Sequence, residues 1–332
     1  MHPALSIVCF TVLSGAGYGL LALLGFLRAV GALGGAAASR GQGVHLALVI
    51  GAALALAALG LLSSTLHLAN RRNAWRAFSM WRTSWLSREG VLALASFPAV
   101  GLWLLLEWTG AGAGPATRAL ALGVAALSVG IVYCTAMIYA SLKTVPAWHS
   151  PIVPWAYLAL SLYTGALPLA LAGAVGAVPL GRPAALALVA LGIVAAVGVK
   201  LAWYRHVERS GGAEVGGPLA WTTGRVRLLD AGHSAANFTT KELAYRASSK
   251  RLGRLRALAP ALGALIPAVL LALAAVLGPW GEVSDPGSGS SALPATAIAL
   301  AAVSALAGAV VERWLFFAEA RHVVNRYQVT GA

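Results

Sequence analysis

The chain is 332 residues long, 59% hydrophobic and only 10% charged, whereas an ordinary soluble domain carries roughly a quarter charged residues. No water-soluble fold of this size buries so much apolar surface, so the composition points to an all-α integral membrane protein, a bundle of about eight transmembrane helices. The formal net charge of +14 comes from basic residues placed between apolar runs, with no soluble nucleic-acid-binding module to carry them; no nucleic acid is expected as a partner.

In chain order the apolar segments are 5–27, 44–68, 89–109, 117–139, 153–177, 184–204, 257–280 and 293–318. Each is long enough to cross roughly 30 Å of hydrocarbon at about 1.5 Å per residue. The first has no basic stretch before it and no convincing cleavage site after it, and reads as a retained helix. Residues 1–332 form one polytopic domain, and the many glycines and alanines suit close helix packing in lipid.

Two connections are more than turns. From Arg71 to Arg88, five arginines interleave with Trp75, Phe78, Trp81 and Trp85, the pattern of an amphipathic interfacial segment. The stretch 205–256 is a long basic cytoplasmic loop, beyond the usual length of a bundle connection, and its second half, Lys241 to Arg256, is suited to a surface helix. Both serve equally well as membrane-surface anchors or as docking sites for a cytoplasmic subunit.

With eight helices, both termini and the connections 69–88, 140–152 and 205–256 share one side. That side holds Arg71, Arg72, Arg76, Arg82, Arg88, Lys143, Lys200, the dense set from Arg205 to Arg256, and Arg313, Arg321 and Arg326. The other has Arg28, Arg40, Arg118 and Arg182, with Glu107, Glu282 and Asp285. The positive-inside rule makes the first side cytoplasmic and places both termini there.

Cys9 and Cys134 lie far apart in apolar runs, so neither a disulfide framework nor a zinc or iron–sulfur site is expected within the chain, and any metal chemistry belongs to a partner. His2, His45, His206, His233 and His322 fall at termini, connections or span ends, and His67 and His149 near one surface. No two histidines match at mid-membrane depth, so no haem is expected. There is no Walker loop, nucleotide fingerprint or nucleophile elbow.

Polar groups near a span are costly and therefore candidates for function. His67 closes the second segment in Ser63-Ser64-Thr65-Leu66-His67-Leu68, and Glu89 opens the third in Leu86-Ser87-Arg88-Glu89. An imidazole and a carboxylate at similar depth suit hydrogen bonding to a quinone head group and relay of its protons. Taken singly, they read equally well as an interfacial histidine and a helix cap. Ser87 and Arg88 adjoin the acid, and Arg76 and Arg88 are suited to holding it ionised or to contacting an acidic partner. Glu312 and Arg313, about 20 residues into the last span, are expected to form a structural ion pair near the site. The connection Lys143 to Trp155, with Pro146, Trp148 and Pro151, reads as a pocket rim or as part of an interfacial tryptophan belt.

From Leu66 to Gly90 the sequence resembles the DMSO reductase-type membrane anchor subunits, the DmsC type. The features are Leu66-His67-Leu68, Trp75-Arg76-Ala77-Phe78 and Trp81-Arg82-Thr83-Ser84-Trp85-Leu86-Ser87-Arg88-Glu89, then Thr144-Val145-Pro146-Ala147-Trp148, and the run Glu312 to His322. The start Met1-His2-Pro3-Ala4, the stretch Gly224 to Asp230 and Lys241-Glu242-Leu243 look like the SoeC branch, which serves cytoplasmic sulfite dehydrogenases. The chain departs from the pattern at Ala69-Asn70-Arg71-Arg72, where such anchors tend to have Gly-Arg-Pro-Glu.

The resemblance implies a complex with a molybdopterin catalytic subunit and an iron–sulfur subunit on the cytoplasmic face of a bacterial inner membrane. The anchor would carry no haem and would exchange electrons between the nearest [4Fe-4S] cluster and a quinone, ubiquinone or menaquinone. Its site residues would be His67 and Glu89, supported by Arg76, Ser87, Arg88, Trp148, Glu312 and Arg313. Quinone reduction with electrons from sulfite is the leading expectation, and quinol oxidation serving an S- or N-oxide reductase the alternative. A transporter and a purely structural tether are remote alternatives; the clustering of polar groups at one surface, away from the midplane, argues against the transporter.

Overall fold

A computed structural model of the chain describes residues 3–33, 40–66, 71–210, 247–277, 280 and 292–323. In chain order these form α1 (Leu5–Ala29), α2 (Arg40–Thr65), a 3-10 helix (Arg71–Phe78), α3 (Trp85–Thr109), α4 (Pro115–Ala140), α5 (Ile152–Ala174), α6 (Arg182–Ser210), α7 (Ser249–Pro260), a π-helical turn (Ala261–Leu265), α8 (Ile266–Val276) and α9 (Ala292–Ala318). No strand occurs among the described residues. Because α7, the π turn and α8 run on as one helix, Ser249–Val276, eight helices among the described residues are long and apolar enough to cross a membrane. The expected all-helical membrane bundle is the observed fold.

Several boundaries move. The third span begins at Trp85, four residues before Glu89, because Ser84 caps it by accepting the Ser87 N–H at 3.4 Å. Helical residues occupy both ends of the 205–256 stretch: α6 runs on to Ser210 and α7 starts at Ser249. The surface helix expected before Arg256 is, from Ser249 onward, the first turns of the seventh span. Residues 211–246 lie outside the described residues, as does His67.

α1 is the central helix, packed on α2, α4, α5 and α9. Its apolar sequence reads alike on all sides because it is buried nearly all round. Small residues make that packing feasible in lipid, where association depends on close backbone approach. A Cβ on Gly19 would lie 1.8 Å from the Ser161 carbonyl oxygen of α5, and one on Gly17 2.6 Å from the Ala53 carbonyl oxygen of α2.

The π turn has a direct chemical cause. Pro267 has no N–H to give the Gly263 carbonyl, and the Ile266 N–H reaches back five residues to the Ala261 carbonyl, so the carbonyls of Leu262 and Gly263 lack their usual helical donors. Side chains from neighbouring helices take over: Ser304 Oγ of α9 donates to the Leu262 carbonyl at 2.8 Å, and the Tyr163 hydroxyl of α5 donates to that of Gly263 at 2.6 Å. The same break sits against Gly308 of α9, where a Cβ would fall 2.3 Å from the Gly263 nitrogen.

The end opposite the basic face is locked by an ion pair. Arg28 of α1 donates from Nε to Glu107 Oε1 at 2.7 Å, and from Nη2 to Oε2 at 3.2 Å and to the Gly112 carbonyl at 2.6 Å. The Trp103 indole N–H donates to the same carboxylate at 3.0 Å. Both charged groups are buried, so two residues legible in sequence only as loop-side charges form a structural clamp.

Candidate functional site

At the basic face, the 3-10 helix Arg71–Phe78 and the turn after it leave Trp75, Phe78, Met80 and Trp81 exposed among arginines. This fits the interfacial segment expected from the sequence, with aromatic rings at head-group depth and guanidinium groups in water. Arg76 rests over Trp75 at 5.7 Å and Arg82 over Trp81 at 5.6 Å. Phe78 packs near Gly90, which joins this segment to the first turns of α3.

Glu89 does not cap α3. It lies four residues inside the helix, about 6 Å from its first residue, points inward and is 4% exposed. Its carboxyl accepts a hydrogen bond from the Thr135 hydroxyl of α4, while Thr135 also contacts its own Ile131 carbonyl at 3.0 Å. The expectation that Arg76 or Arg88 holds this acid is corrected. Arg88 donates instead to the carbonyls of Trp81 at 3.1 Å and Arg82 at 2.7 Å and lies 4.3 Å over the Trp85 ring, and neither arginine forms an ion pair with Glu89 among the described residues. Ser87 is buried beside the cap, its N–H given to Ser84 Oγ.

Toward α5, α6 and α9 the same layer is aromatic. Tyr139 stacks on Tyr157 at 5.8 Å and meets Trp148, Phe316 and Phe317 edge-on at 5.3 to 5.7 Å. Trp148 stacks on Phe316 at 5.5 Å. Beyond the rings lies the second charged group: Glu312 is paired with Lys200 of α6 at 2.7 Å and with its neighbour Arg313, which is 2% exposed and sits 4.2 Å over the Tyr157 ring. The ion pair expected of Glu312 and Arg313 is thus a triad, completed by a lysine that the sequence placed only on the basic side. Lys200 also lies 3.7 Å over the Trp203 ring. About two turns on, just past the end of α9, Glu319 pairs with Arg256 of α7 at 2.6 Å.

The connection between α4 and α5 is pinned from three directions. Trp203 Nε1 donates to the Ala147 carbonyl at 3.2 Å, a ring nitrogen of His206 contacts the Pro146 carbonyl at 3.1 Å, and the Val323 N–H donates to Thr144 at 2.9 Å. Trp148 is buried, and its indole N–H donates to the Phe316 carbonyl at 3.0 Å. It is therefore part of the packed floor of the connection and no member of an exposed tryptophan belt. Two cavities flank this layer. A small one of about 10 Å³, bordered by Thr11, Ser161, Thr164, Tyr157 and Arg313, is too narrow for an organic ring. A groove of about 460 Å³ opens between α4 and α5. Glu89 is in the wall of neither.

The sequence did not mark Thr135, Tyr139, Tyr157 or Lys200 as members of this layer. Only Lys200 carried a usable signal, a cation inside the apolar run 184–204 that calls for an anionic partner. No group of three or more His, Cys, Asp or Glu residues suited to a metal ion occurs among the described residues, and the free thiols of Cys9 and Cys134 are unlinked.

Comparison with known proteins agrees with this architecture. The family model described as "DMSO reductase anchor subunit (DmsC)" matches residues 1–213. A sulfite dehydrogenase subunit of Allochromatium vinosum is 34% identical over 341 residues, covering 98% of each chain. The chain therefore belongs to the DMSO reductase anchor subunit (DmsC) family, and is a multi-pass membrane anchor of an oxidoreductase complex.

Proposed function

We propose that this anchor is the quinone-reactive subunit of a molybdopterin and iron–sulfur oxidoreductase, passing electrons from a partner [4Fe-4S] subunit to the quinone pool, with sulfite as the electron donor. The observation that carries the proposal is Glu89: a carboxyl buried one turn below the basic face and held by the hydroxyl of Thr135, which lies one helical turn from Tyr139 on α4. No arginine among the described residues pairs with this carboxyl, which leaves it able to take up and release a proton. Sulfite as donor is suggested by the near full-length similarity to a subunit of a sulfite dehydrogenase.

In this reading Glu89 supplies and shuttles protons at the quinone, and His67, which lies outside the described residues, hydrogen-bonds a quinone carbonyl. The supporting residues have separable tasks. Ser87 and Arg88 fix the first turn of α3, Arg76 presents charge at the surface, Trp148 floors the α4–α5 connection, and Glu312 and Arg313 hold α9 against α6. The molybdopterin and iron–sulfur subunits sit on the basic face, which is the cytoplasmic side of a bacterial inner membrane under the positive-inside rule; both termini are then cytoplasmic.

The test is purification in mild detergent with identification of the co-purifying chains, molybdenum and iron analysis, and assay of sulfite-dependent quinone reduction. A three-subunit complex containing both metals and reducing a short-chain quinone is expected. A stable, metal-free single chain contradicts the proposal, and a metal-containing complex inert toward quinones contradicts its quinone-reactive part.

A further inference from the structure

Three helices bring polar side chains to one point inside the bundle. Thr11 and Gly15 of α1 and Tyr157, Ser161 and Thr164 of α5 recur at three- or four-residue spacing, on one face of each helix, and meet Arg313 of α9. Between them lies the small cavity of about 10 Å³, the room that one water molecule takes. The absent side chain of Gly15 keeps the space open, since a Cβ there would fall 2.9 Å from Ser161 Oγ.

Two of these groups are orphaned donors. Arg313 is 2% exposed and Tyr157 4% exposed. Arg313 gives its Nε to Glu312, but its Nη1 and the Tyr157 hydroxyl make no hydrogen bond of ordinary geometry among the described residues. A guanidinium N–H without an acceptor is costly inside a membrane span, where bulk water does not reach it. The two threonines supply the complement. The Thr11 hydroxyl donates to the carbonyls of Ile7 at 3.1 Å and Val8 at 3.0 Å, and that of Thr164 to those of Leu160 at 2.8 Å and Ser161 at 3.2 Å. Each hydrogen is turned back along its own helix, so the oxygen lone pairs remain for a donor from outside.

Two donors and two acceptors around a space of this size match a molecule that both accepts and donates. A halide satisfies the guanidinium and the phenol but faces two threonine oxygens with no hydrogen to offer; a water serves all four. We infer that the cavity between α1, α5 and α9 binds a single water molecule, which accepts from Arg313 Nη1 and the Tyr157 hydroxyl and donates to Thr11 and Thr164. The water joins the buried Lys200–Glu312–Arg313 group to the central helix α1. Its site stands whether or not the chain reacts with a quinone.

The test is X-ray radiolysis of the protein in its membranes, suspended in water enriched in heavy oxygen, with the oxidised rings mapped by peptide mass spectrometry. Hydroxyl radicals from bulk solvent do not reach a ring this buried, so heavy oxygen built into Tyr157 reports a water held beside it. Tyr18 is the comparison, 1% exposed and with its hydroxyl bonded to Ser96 at 3.2 Å. Labelling of Tyr157 several-fold above that of Tyr18 is expected, unchanged when chloride is replaced by gluconate. Thr11→Val with Thr164→Val keeps the shape and removes both acceptors, and the label is expected to be lost; Thr11→Ser with Thr164→Ser is expected to keep it. Equal labelling of Tyr157 and Tyr18 in the parent protein overturns the water site. Label that appears only without chloride overturns it in favour of an anion, and label kept with valine or lost with serine overturns the bonding assigned to the threonines.

Discussion

The hydroxyl of Thr135 on α4 donates to the carboxyl of Glu89 on α3, so this buried acid is held by a neutral group and stands apart from Arg76 and Arg88. A carboxylate fixed by arginine stays ionised through the working pH range; one held by a hydroxyl retains its ability to exchange a proton. Thr135→Val, of nearly the same shape, is expected to lower quinone-coupled turnover about tenfold relative to turnover with a water-soluble acceptor, the value of one hydrogen bond to a charged group. Thr135→Ser should restore most of it. Equal coupled rates in the valine, serine and parent proteins would show the bond to be irrelevant to turnover.

The opposite end of the bundle is expected to matter for stability alone. Arg28→Ala leaves the Glu107 carboxylate buried with only the Trp103 N–H, and should cost about 3–5 kcal/mol, as does removal of one partner from a buried pair. The double change Arg28→Met with Glu107→Leu should recover much of that loss, because it removes both charges together. Thermal unfolding in detergent, followed by tryptophan fluorescence, distinguishes the two.

The break between α7 and α8 depends on substitutes for the hydrogen bonds that Pro267 removes. Tyr163→Phe strips the donor from the Gly263 carbonyl and should destabilise the protein by about 1–3 kcal/mol, the cost of a buried polar group left unsatisfied. Gly308→Val should be worse, since its Cβ would fall 2.4 Å from the Gly263 Cα and α9 would have to move. Yield of folded protein by size-exclusion chromatography should rank parent above Tyr163→Phe above Gly308→Val. Identical yields for all three would remove the structural role given to this contact.

The spans were legible because lipid leaves the backbone few alternatives: long apolar runs must be helices. The place of Glu89 near the basic face was equally readable, as was the ion pairing of Glu312 and Arg313. What escaped was lateral. The periodicity of α1 or α4 does not say which neighbour each face meets, so Thr135 gave no hint that it meets Glu89, and Lys200 none that it reaches Glu312 across from α6. The adjacency of Arg88 to Glu89 in sequence even misled: consecutive residues on a helix diverge by about 100°, and the guanidinium turns out toward Trp85 while the carboxyl turns in. The connection carrying Trp148 read equally as a pocket rim or as part of an interfacial tryptophan belt, and its buried indole N–H, given to the Phe316 carbonyl, leaves the belt aside.

The buried layer from Glu89 to Lys200 is held together by rings as much as by charges. Trp148→Phe keeps the ring but removes the donor to Phe316, and should cost about 1 kcal/mol. Trp148→Ala empties the floor under the α4–α5 connection and should cost about 3–5 kcal/mol. The two variants, compared by thermal unfolding of the purified complex, separate the hydrogen bond from the packing.

The most direct measurement for the central claim is the rate of sulfite-dependent quinone reduction by the assembled complex carrying Glu89→Gln, divided by its rate with a water-soluble acceptor that bypasses the anchor. Glutamine preserves the size of the side chain and its hydrogen-bonding oxygen but cannot exchange a proton. A fall in this ratio of about 100-fold is expected, in the range of a lost general acid–base group. A ratio equal to that of the parent, in a complex that retains all its subunits, would contradict the role assigned to the buried carboxyl.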